Sequence, residues 1–368
     1  MKKQKPGLRE ILSSAVFIII IGVLFILNFV IPAPAVLLSE RRVPAKFPEF
    51  SASSVLSGSF MNKFDDYASD RFVFRDTFRQ INAFVMFDAF MLSDKSGLYR
   101  SKNVGVGEFK QTNATSFRQT TDRIKRAADS LDGLDMNVFY SIVPDKSIFA
   151  ESYMPGFNLE MAESILTDIL IDYRYINLID ALNAEDFYKT DIHWDQVRIS
   201  AVTECILSEM GAARITDEQQ IVKAGDFKGV YAGQIALPVG ADTMSYRDIT
   251  GVRVRYLNEK TLEFDSGPVY DNERFYGVDP YDLFLRGPQP LIILENEAAP
   301  ERELFVFRDS FGSSLAPLLT GAYSKVTLID LRYIHMMMLS QFIEFTPGSD
   351  VLFIYSSQIF NNPSVLLT

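Results

Sequence analysis

Cysteine and histidine are nearly absent from this chain. Its 368 residues include one cysteine, Cys205, and two histidines, His193 and His335. A single thiol excludes an intramolecular disulfide framework and any multi-cysteine zinc site. Two imidazoles are too few for a histidine-rich metal centre, although a site built from carboxylates alone stays open. Basic residues are also in deficit, 36 Lys and Arg against 47 Asp and Glu, for a net charge of −11. Neutralising a nucleic-acid backbone needs a basic face, so this balance argues against a general nucleic-acid binder. No internal repeat or low-complexity tract is evident. What is abundant is apolar material, 48% of the chain, enough to fill the core of one large domain or two ordinary ones. Cys205 belongs to it: Ala201, Val202 and Ile206 around it predict a buried helical thiol.

Residues 11–31 carry no charge and only Ser13, Ser14 and Asn28 as polar interruptions. A run of that length spans a bilayer. Lys2, Lys3, Lys5 and Arg9 precede it, against Arg41 and Arg42 after it. The positive-inside bias therefore predicts a cytoplasmic tail at 1–10, a transmembrane anchor at 11–31 and everything beyond outside the cell membrane. A cleaved signal peptide ending near Ala33-Pro34-Ala35 is the competing reading. The run exceeds the usual signal core of about 7–15 residues, and proline is awkward near a cleavage site.

Residues 32–59, rich in Pro, Ser and Ala, read as a stalk. From 60 to 92, Phe60, Phe64, Tyr67, Phe74, Phe78, Ile81, Phe84 and Val85 recur at helical spacing. The charged run from Asp70 to Asp76 interrupts them and reads as an ion-paired turn between helices. From about Gly97, short apolar runs alternate with helical patterns. Strands are expected at 136–143, 175–179, 304–307, 325–331 and 351–355, and helices at 116–130, 159–171, 196–210, 311–319 and 334–345. Such alternation predicts an α/β domain over 60–368 with a mostly parallel sheet covered on both faces. Residues 225–290 break the alternation and read as a β-rich peripheral insertion.

In a sheet of that kind functional groups gather at the carboxyl ends of strands. Ser310 follows the strand pattern of 304–307 and precedes a helical one, so it falls on the connecting corner. Amides that begin a helix lack intrahelical partners and can donate to a developing oxyanion. The competing reading of Asp309-Ser310 is a helix cap. Asp191 and His193 stand two apart, so in an extended segment both side chains point the same way. The carboxylate can then fix the imidazole tautomer and support the imidazolium. Together these residues supply an acid, a base and a nucleophile. His335, beside Met336, Met337 and Met338, reads as packing. Arg332 follows a strand expected beside that of Ser310, where it would bind substrate or the oxyanion region, or form a surface ion pair. Lys146 and Asp145 end another strand and either line the cleft or make a turn. Asp309 and Tyr355, the latter at the end of the last strand, complete the expected set of substrate- or oxyanion-binding residues.

The order Asp191-Ile192-His193-Trp194, then Asp309-Ser310-Phe311, resembles the SGNH-like acyltransferases of the alginate O-acetylation group (AlgJ and AlgX) and the related DHHW proteins. Asp70-Arg71-Phe72 with Arg75, Val143-Pro144-Asp145-Lys146-Ser147, and Ile329-Asp330-Leu331-Arg332-Tyr333 agree with it. The resemblance covers roughly residue 47 to the end. It implies an SGNH-like three-layer domain with Ser310 as nucleophile, His193 as general base and Asp191 as its orienting acid. It also implies a multipass membrane acyltransferase as acyl donor, and no soluble cofactor. Two departures stand out. Ile192 replaces the second histidine of the DHHW name, and Arg308 precedes Asp309 where SGNH hydrolases usually have glycine.

The expected function is a membrane-anchored, extracytoplasmic serine acyltransferase or esterase, moving an acetyl group to or from a cell-envelope or secreted polysaccharide. The alternative is a non-catalytic scaffold or polysaccharide-binding protein on the same fold, which would not need the three residues to converge. A metal-dependent phosphohydrolase would need a carboxylate cluster that the sequence does not declare.

Overall fold

A computed structural model describes residues 7–37, 39–109, 111–151, 156–213 and 219–368, apart from the side chain of Phe29. Lys2, Lys3 and Lys5 of the N-terminal basic cluster lie outside the described residues. The chain divides into two compact units, Met1–Met91 with Ala236–Pro238, and Leu92–Ile235 with Val239–Thr368.

The first unit begins with the helix Leu8–Val30, which ends just before Pro32, where a ring without an N–H disfavours further turns. Its stretch Leu8–Asn28 is long and apolar enough to cross a membrane. Residues 31–37 and 39–51 are largely irregular, and the helices Ala52–Leu56, Ser59–Arg71 and Arg75–Phe84 follow. The charged run between the last two is the ion-paired turn expected of it. Asp70 is buried, and its carboxylate accepts 2.6 Å bonds from both terminal nitrogens of Arg42 and a 2.8 Å bond from the Ala45 amide. Arg75 lies 3.6 Å from Asp70 and 2.7 Å from Glu40. Phe74 turns the chain with φ 58°.

The second unit is built on an eight-stranded sheet. In spatial order its strands are Arg174–Tyr175, Asn137–Val143, Asp350–Ser356, Glu303–Arg308, Lys325–Ile329, Leu291–Glu295, Arg253–Leu257 and Phe264–Gly267. Neighbours among the first five are parallel, and the remaining pairings are antiparallel. Side chains alternate between two cores. Leu304 and Val306 pack with Phe311, Leu315, Val202 and Ile206, while Phe305 and Phe307 pack with Phe117, Ile124, Ile165 and Leu166. Strands buried on both sides have no polar alternation, which is why they read as unbroken apolar runs. Helices Ser200–Glu209 and Phe311–Leu319 cover one face, and Ala114–Asp129 and Leu159–Ile169 the other. The architecture is a three-layer α/β sandwich.

Several elements differ from the expectation. The strand at 175–179 shrinks to Arg174–Tyr175. The helix expected from 196 starts at Ser200, because the Asp195 amide donates to Asp186 O and Gln196 turns inward to Ser314 O, 2.7 Å away. The helix expected at 334–345 is only the 3-10 turn Met336–Gln341, capped by the His335 ring and leaving Met337 exposed. Leu291–Glu295, not foreseen as a strand, is fully integrated. In the β-rich region, Ile221–Phe227 and Asp242–Arg247 form a separate antiparallel pair, while Arg253–Leu257 and Phe264–Gly267 extend the main sheet. Cys205 is half-buried rather than buried.

The hydrogen bonds from Arg42, working against burial, hold the Asp70 carboxyl down at about 2. A carboxyl depressed in the folded state stabilises fully above its unfolded pKa of about 3.9 and loses that contribution as pH falls through its folded value. Asp70→Asn is therefore expected to lower the thermal midpoint of the full chain at pH 7, with the difference from wild type shrinking as pH falls from 4 towards 2. Thermal melts followed by circular dichroism across that range check it.

Candidate active site

The serine corner lies where the strand Glu303–Arg308 hands over to the helix Phe311–Leu319. Two readings of Asp309-Ser310 competed, and the structure divides them between the two residues. Asp309 is the cap: its Oδ1 accepts the Phe311 amide at 3.0 Å, and its Oδ2 accepts the Ser356 amide of the adjacent strand at 2.8 Å. Ser310 has no capping bond. Its Oγ points to His193 Nε2, 2.7 Å away. The Phe311 amide is thus occupied and not available to an oxyanion, contrary to expectation. The Ser310 amide has no acceptor among the described residues.

His193 sits on a tight loop closed by the Tyr188 amide, which donates to His193 O at 3.0 Å, and by the bridge between Phe187 and Trp194. Asp191 Oδ1 lies 2.7 Å from His193 Nδ1 and also accepts the His193 amide at 3.2 Å. Asp191 Oδ2 accepts the Val230 amide at 2.9 Å. A carboxylate can only accept, so Nδ1 carries the proton and neutral Nε2 is the acceptor for the Ser310 hydroxyl. The result is a continuous relay from a buried carboxylate through imidazole to a half-buried hydroxyl.

The relay is braced on several sides. Lys146 is buried, and its Nζ donates 2.8 Å bonds to the carbonyls of Tyr188 and Asp191 while lying 5.3 Å over the Tyr231 ring. Burial pulls this ammonium down to about 8, while Asp191, Asp145 and Asp242 oppose the shift. Asp242 accepts from the amides of Lys189 and Thr190 and from Thr190 Oγ1. Thr190 Oγ1 in turn accepts the Gly229 amide at 2.8 Å. A Cβ at Gly229 would collide with Thr190 O and Asp191 Cβ, so only glycine fits there. The Tyr281 ring stacks on His193 at 3.7 Å and 8°. The Tyr281 hydroxyl and the Trp194 indole both donate to Ser314 Oγ at 2.8 Å.

Lys146 and Asp309 are both buried, and Lys146 borders a small recess together with Asp145, Ile192, Tyr231 and Phe311. Arg332 is engaged by Asp330, with bonds of 2.8 and 2.6 Å. Burial works against the charge on Arg332 and the paired carboxylate raises its pKa. Arg308 is buried and reaches the same Asp330 at 3.3 Å, and burial lowers its pKa. Asp330 thus joins buried Arg308 and half-buried Arg332 in one ion-paired group. Tyr355 is wholly buried, and burial raises its hydroxyl pKa well above the ordinary value. Among the described residues no three of His, Cys, Asp and Glu gather as a metal-binding group. Tyr281, Ser314, Gly229 and Asp242 were not anticipated. The one sequence signal near them is Asp279-Pro280, whose aspartate caps the turn Pro280–Leu283 that presents Tyr281.

No family model matches the chain, and no curated protein matches it by sequence. Solved structures do. A DHHW family protein from Eubacterium siraeum aligns with a TM-score of 0.58 at 15% identity, over 75% of this chain and 95% of its own. PatB1 from Bacillus cereus aligns with a TM-score of 0.57 at 15% identity, over 74% of this chain and 99% of its own. The same protein has also been solved with a sulfonyl adduct, at a TM-score of 0.55. The chain therefore shares the fold of these proteins over about three quarters of its length. The O-acetyltransferase domain of Pseudomonas putida AlgJ gives a TM-score of 0.42 at 12% identity, covering 72% of this chain and 92% of its own. That score is too low to add to the fold assignment.

Lys146→Met tests the bracing, since it keeps an unbranched side chain of nearly the same reach and removes the ammonium from two carbonyls. The reactivity of the Ser310 hydroxyl towards a sulfonyl fluoride is expected to fall at least about tenfold through misplacement of Asp191 and His193. Far-UV circular dichroism should be unchanged. Gly229→Ala is expected to act in the same direction, and wild-type rates in both variants would show that the loop holds its shape without these contacts.

Proposed function

We propose that this chain is a membrane-anchored, extracytoplasmic serine O-acyltransferase or esterase that handles acetyl groups on a cell-envelope or secreted polysaccharide. The observation that carries the proposal is the unbroken relay of Ser310, His193 and Asp191, with 2.7 Å at each side-chain contact. A scaffold on this fold has no use for such a relay. The fold shared with PatB1, which has been solved with a sulfonyl adduct, supports a nucleophilic site on this fold.

The chemistry follows from the bonds. His193 Nε2 takes the Ser310 proton as Oγ attacks the acyl carbonyl, and Asp191 stabilises the imidazolium that forms. The Ser310 amide can donate to the oxyanion. Collapse of the tetrahedral intermediate expels the donor alkoxide, which leaves with the proton from His193, and an acyl ester remains on Ser310. A sugar hydroxyl, or water, then loses its proton to His193, attacks the ester and frees Ser310 as its Oγ regains that proton. Transfer wins over hydrolysis where the acceptor excludes water. The basic residues before the helix Leu8–Val30 favour an outside location for this site, where cytoplasmic acyl donors do not reach. A multipass membrane acyltransferase would supply the acyl group, and no soluble cofactor is needed.

The expected behaviour of the full chain in detergent is hydrolysis of p-nitrophenyl acetate that is lost in Ser310→Ala and His193→Ala. Asp191→Asn is expected to fall about 10³–10⁴-fold because the wrong tautomer is favoured. A sulfonyl fluoride should label Ser310 in the wild type and leave His193→Ala unlabelled, read by peptide mass. Equal rates and equal labelling in all variants, with an acetylated oligosaccharide as well as the ester, would sink the proposal.

A further inference from the structure

Besides its relay, the chain carries an apolar stripe that its own fold leaves uncovered. Phe74, Phe78, Ile81 and Phe84 follow one another at four-, three- and three-residue steps along the helix Arg75–Phe84, and each is about half exposed: 54%, 45%, 55% and 59%. The helix has two other faces. Ala83 is buried on one, followed by Phe87 in the next turn. Arg75 and Arg79 occupy the other and pair with Glu40 at 2.7 and 3.1 Å. A helix with one face turned inward and one ion-paired does not need a third apolar face to fold.

One bond says what lies against that stripe. The Val73 amide, at the turn just before the stripe, donates to Asn28 Oδ1 at 2.9 Å. Asn28 lies two residues before the end of the helix Leu8–Val30, on its membrane-crossing stretch. Two residues of helix rise by about 3 Å, so this bond holds the beginning of the stripe at the depth of the last turn of the span. At that depth the surroundings are the boundary between headgroups and acyl chains, where exposed phenylalanine and isoleucine are stabilised and ion pairs facing away remain hydrated. The arginines of this helix are already matched by Glu40 and Asp70. Attraction to anionic lipid therefore contributes little.

We propose that the helix Arg75–Phe84 lies in the outer interface of the bilayer that the N-terminal helix enters, with Phe74, Phe78, Ile81 and Phe84 inserted among the lipids. Its apolar area does the binding, so a zwitterionic membrane suffices and salt has little effect. The proposal rests on the reading of Leu8–Val30 as a membrane anchor, and its test separates the two.

The full chain carrying Cys205→Ser receives single cysteines at Ile19, Phe78, Ile81 and Asp76, each labelled with a nitroxide and reconstituted in phosphatidylcholine vesicles. Collision with oxygen and with a water-soluble nickel chelate reports depth. The Ile19 label should lie deep. Labels at Phe78 and Ile81 should favour oxygen over the chelate several-fold more than the label at Asp76, in low and high salt alike. A deep Ile19 label with Phe78 and Ile81 as wet as Asp76 would overturn the proposal and leave the anchor standing. Labels at Phe78 and Ile81 shielded from both reagents would overturn it in favour of a protein partner. A wet Ile19 label would overturn anchor and proposal together.

Discussion

Lys146 has given up its water for the carbonyls of Tyr188 and Asp191 and the face of the Tyr231 ring, and the loop that carries the acid and the histidine is folded around that exchange. A buried ammonium is unfavourable unless oxygen atoms surround it, and here they come from the backbone of the residues it positions. The nearby carboxylates of Asp145, Asp191 and Asp242 oppose the loss of its charge. The loop is thereby stretched between the end of one strand and the Asp242–Arg247 strand, and the placing of Asp191 and His193 rests on bonds to their backbone as well as on the bond between their side chains.

The serine side is secured differently. The two oxygens of Asp309 join the first helical amide after Ser310 to the end of the neighbouring strand. Ser310 is spared the capping role and keeps its hydroxyl free for the imidazole. Arg308 occupies the space beneath, packed so closely under the helix that a Cβ at Gly312 would strike its stem. Its charge is shared through Asp330 with Arg332. An arginine in place of the usual glycine therefore leaves the corner intact, because its bulk is directed below the helix.

The parts of this molecule that could be read in advance are those whose physical cause is local. Strands at 137–143, 303–308, 325–329 and 350–356 are legible because burial on both faces leaves unbroken apolar runs. The two-residue step from Asp191 to His193 is legible because of side-chain geometry along an extended chain. Ser310 is recognisable from its place between a strand pattern and a helix pattern. Leu291–Glu295 escaped because it follows Pro288 and Pro290 and pairs antiparallel in a sheet expected to be parallel. Tyr281, Ser314, Gly229 and Asp242 escaped because their meaning lies in contacts made across long separations, such as the 120 residues between Trp194 and Ser314. The partners of Lys146 escaped for the same reason, since Tyr188 and Asp191 lie more than 40 residues further along the chain.

Tyr281 covers one face of the His193 ring and is held there by Ser314. An imidazole so clamped cannot turn over between the two halves of an acyl transfer. Under the proposed mechanism, Nε2 must serve the departing alcohol and the arriving one from the same open side. Both then use one lane, and the first product must leave before the second substrate can take its place. In that proposed mechanism the order of events is a ping-pong sequence, with donor and acceptor competing for the same approach.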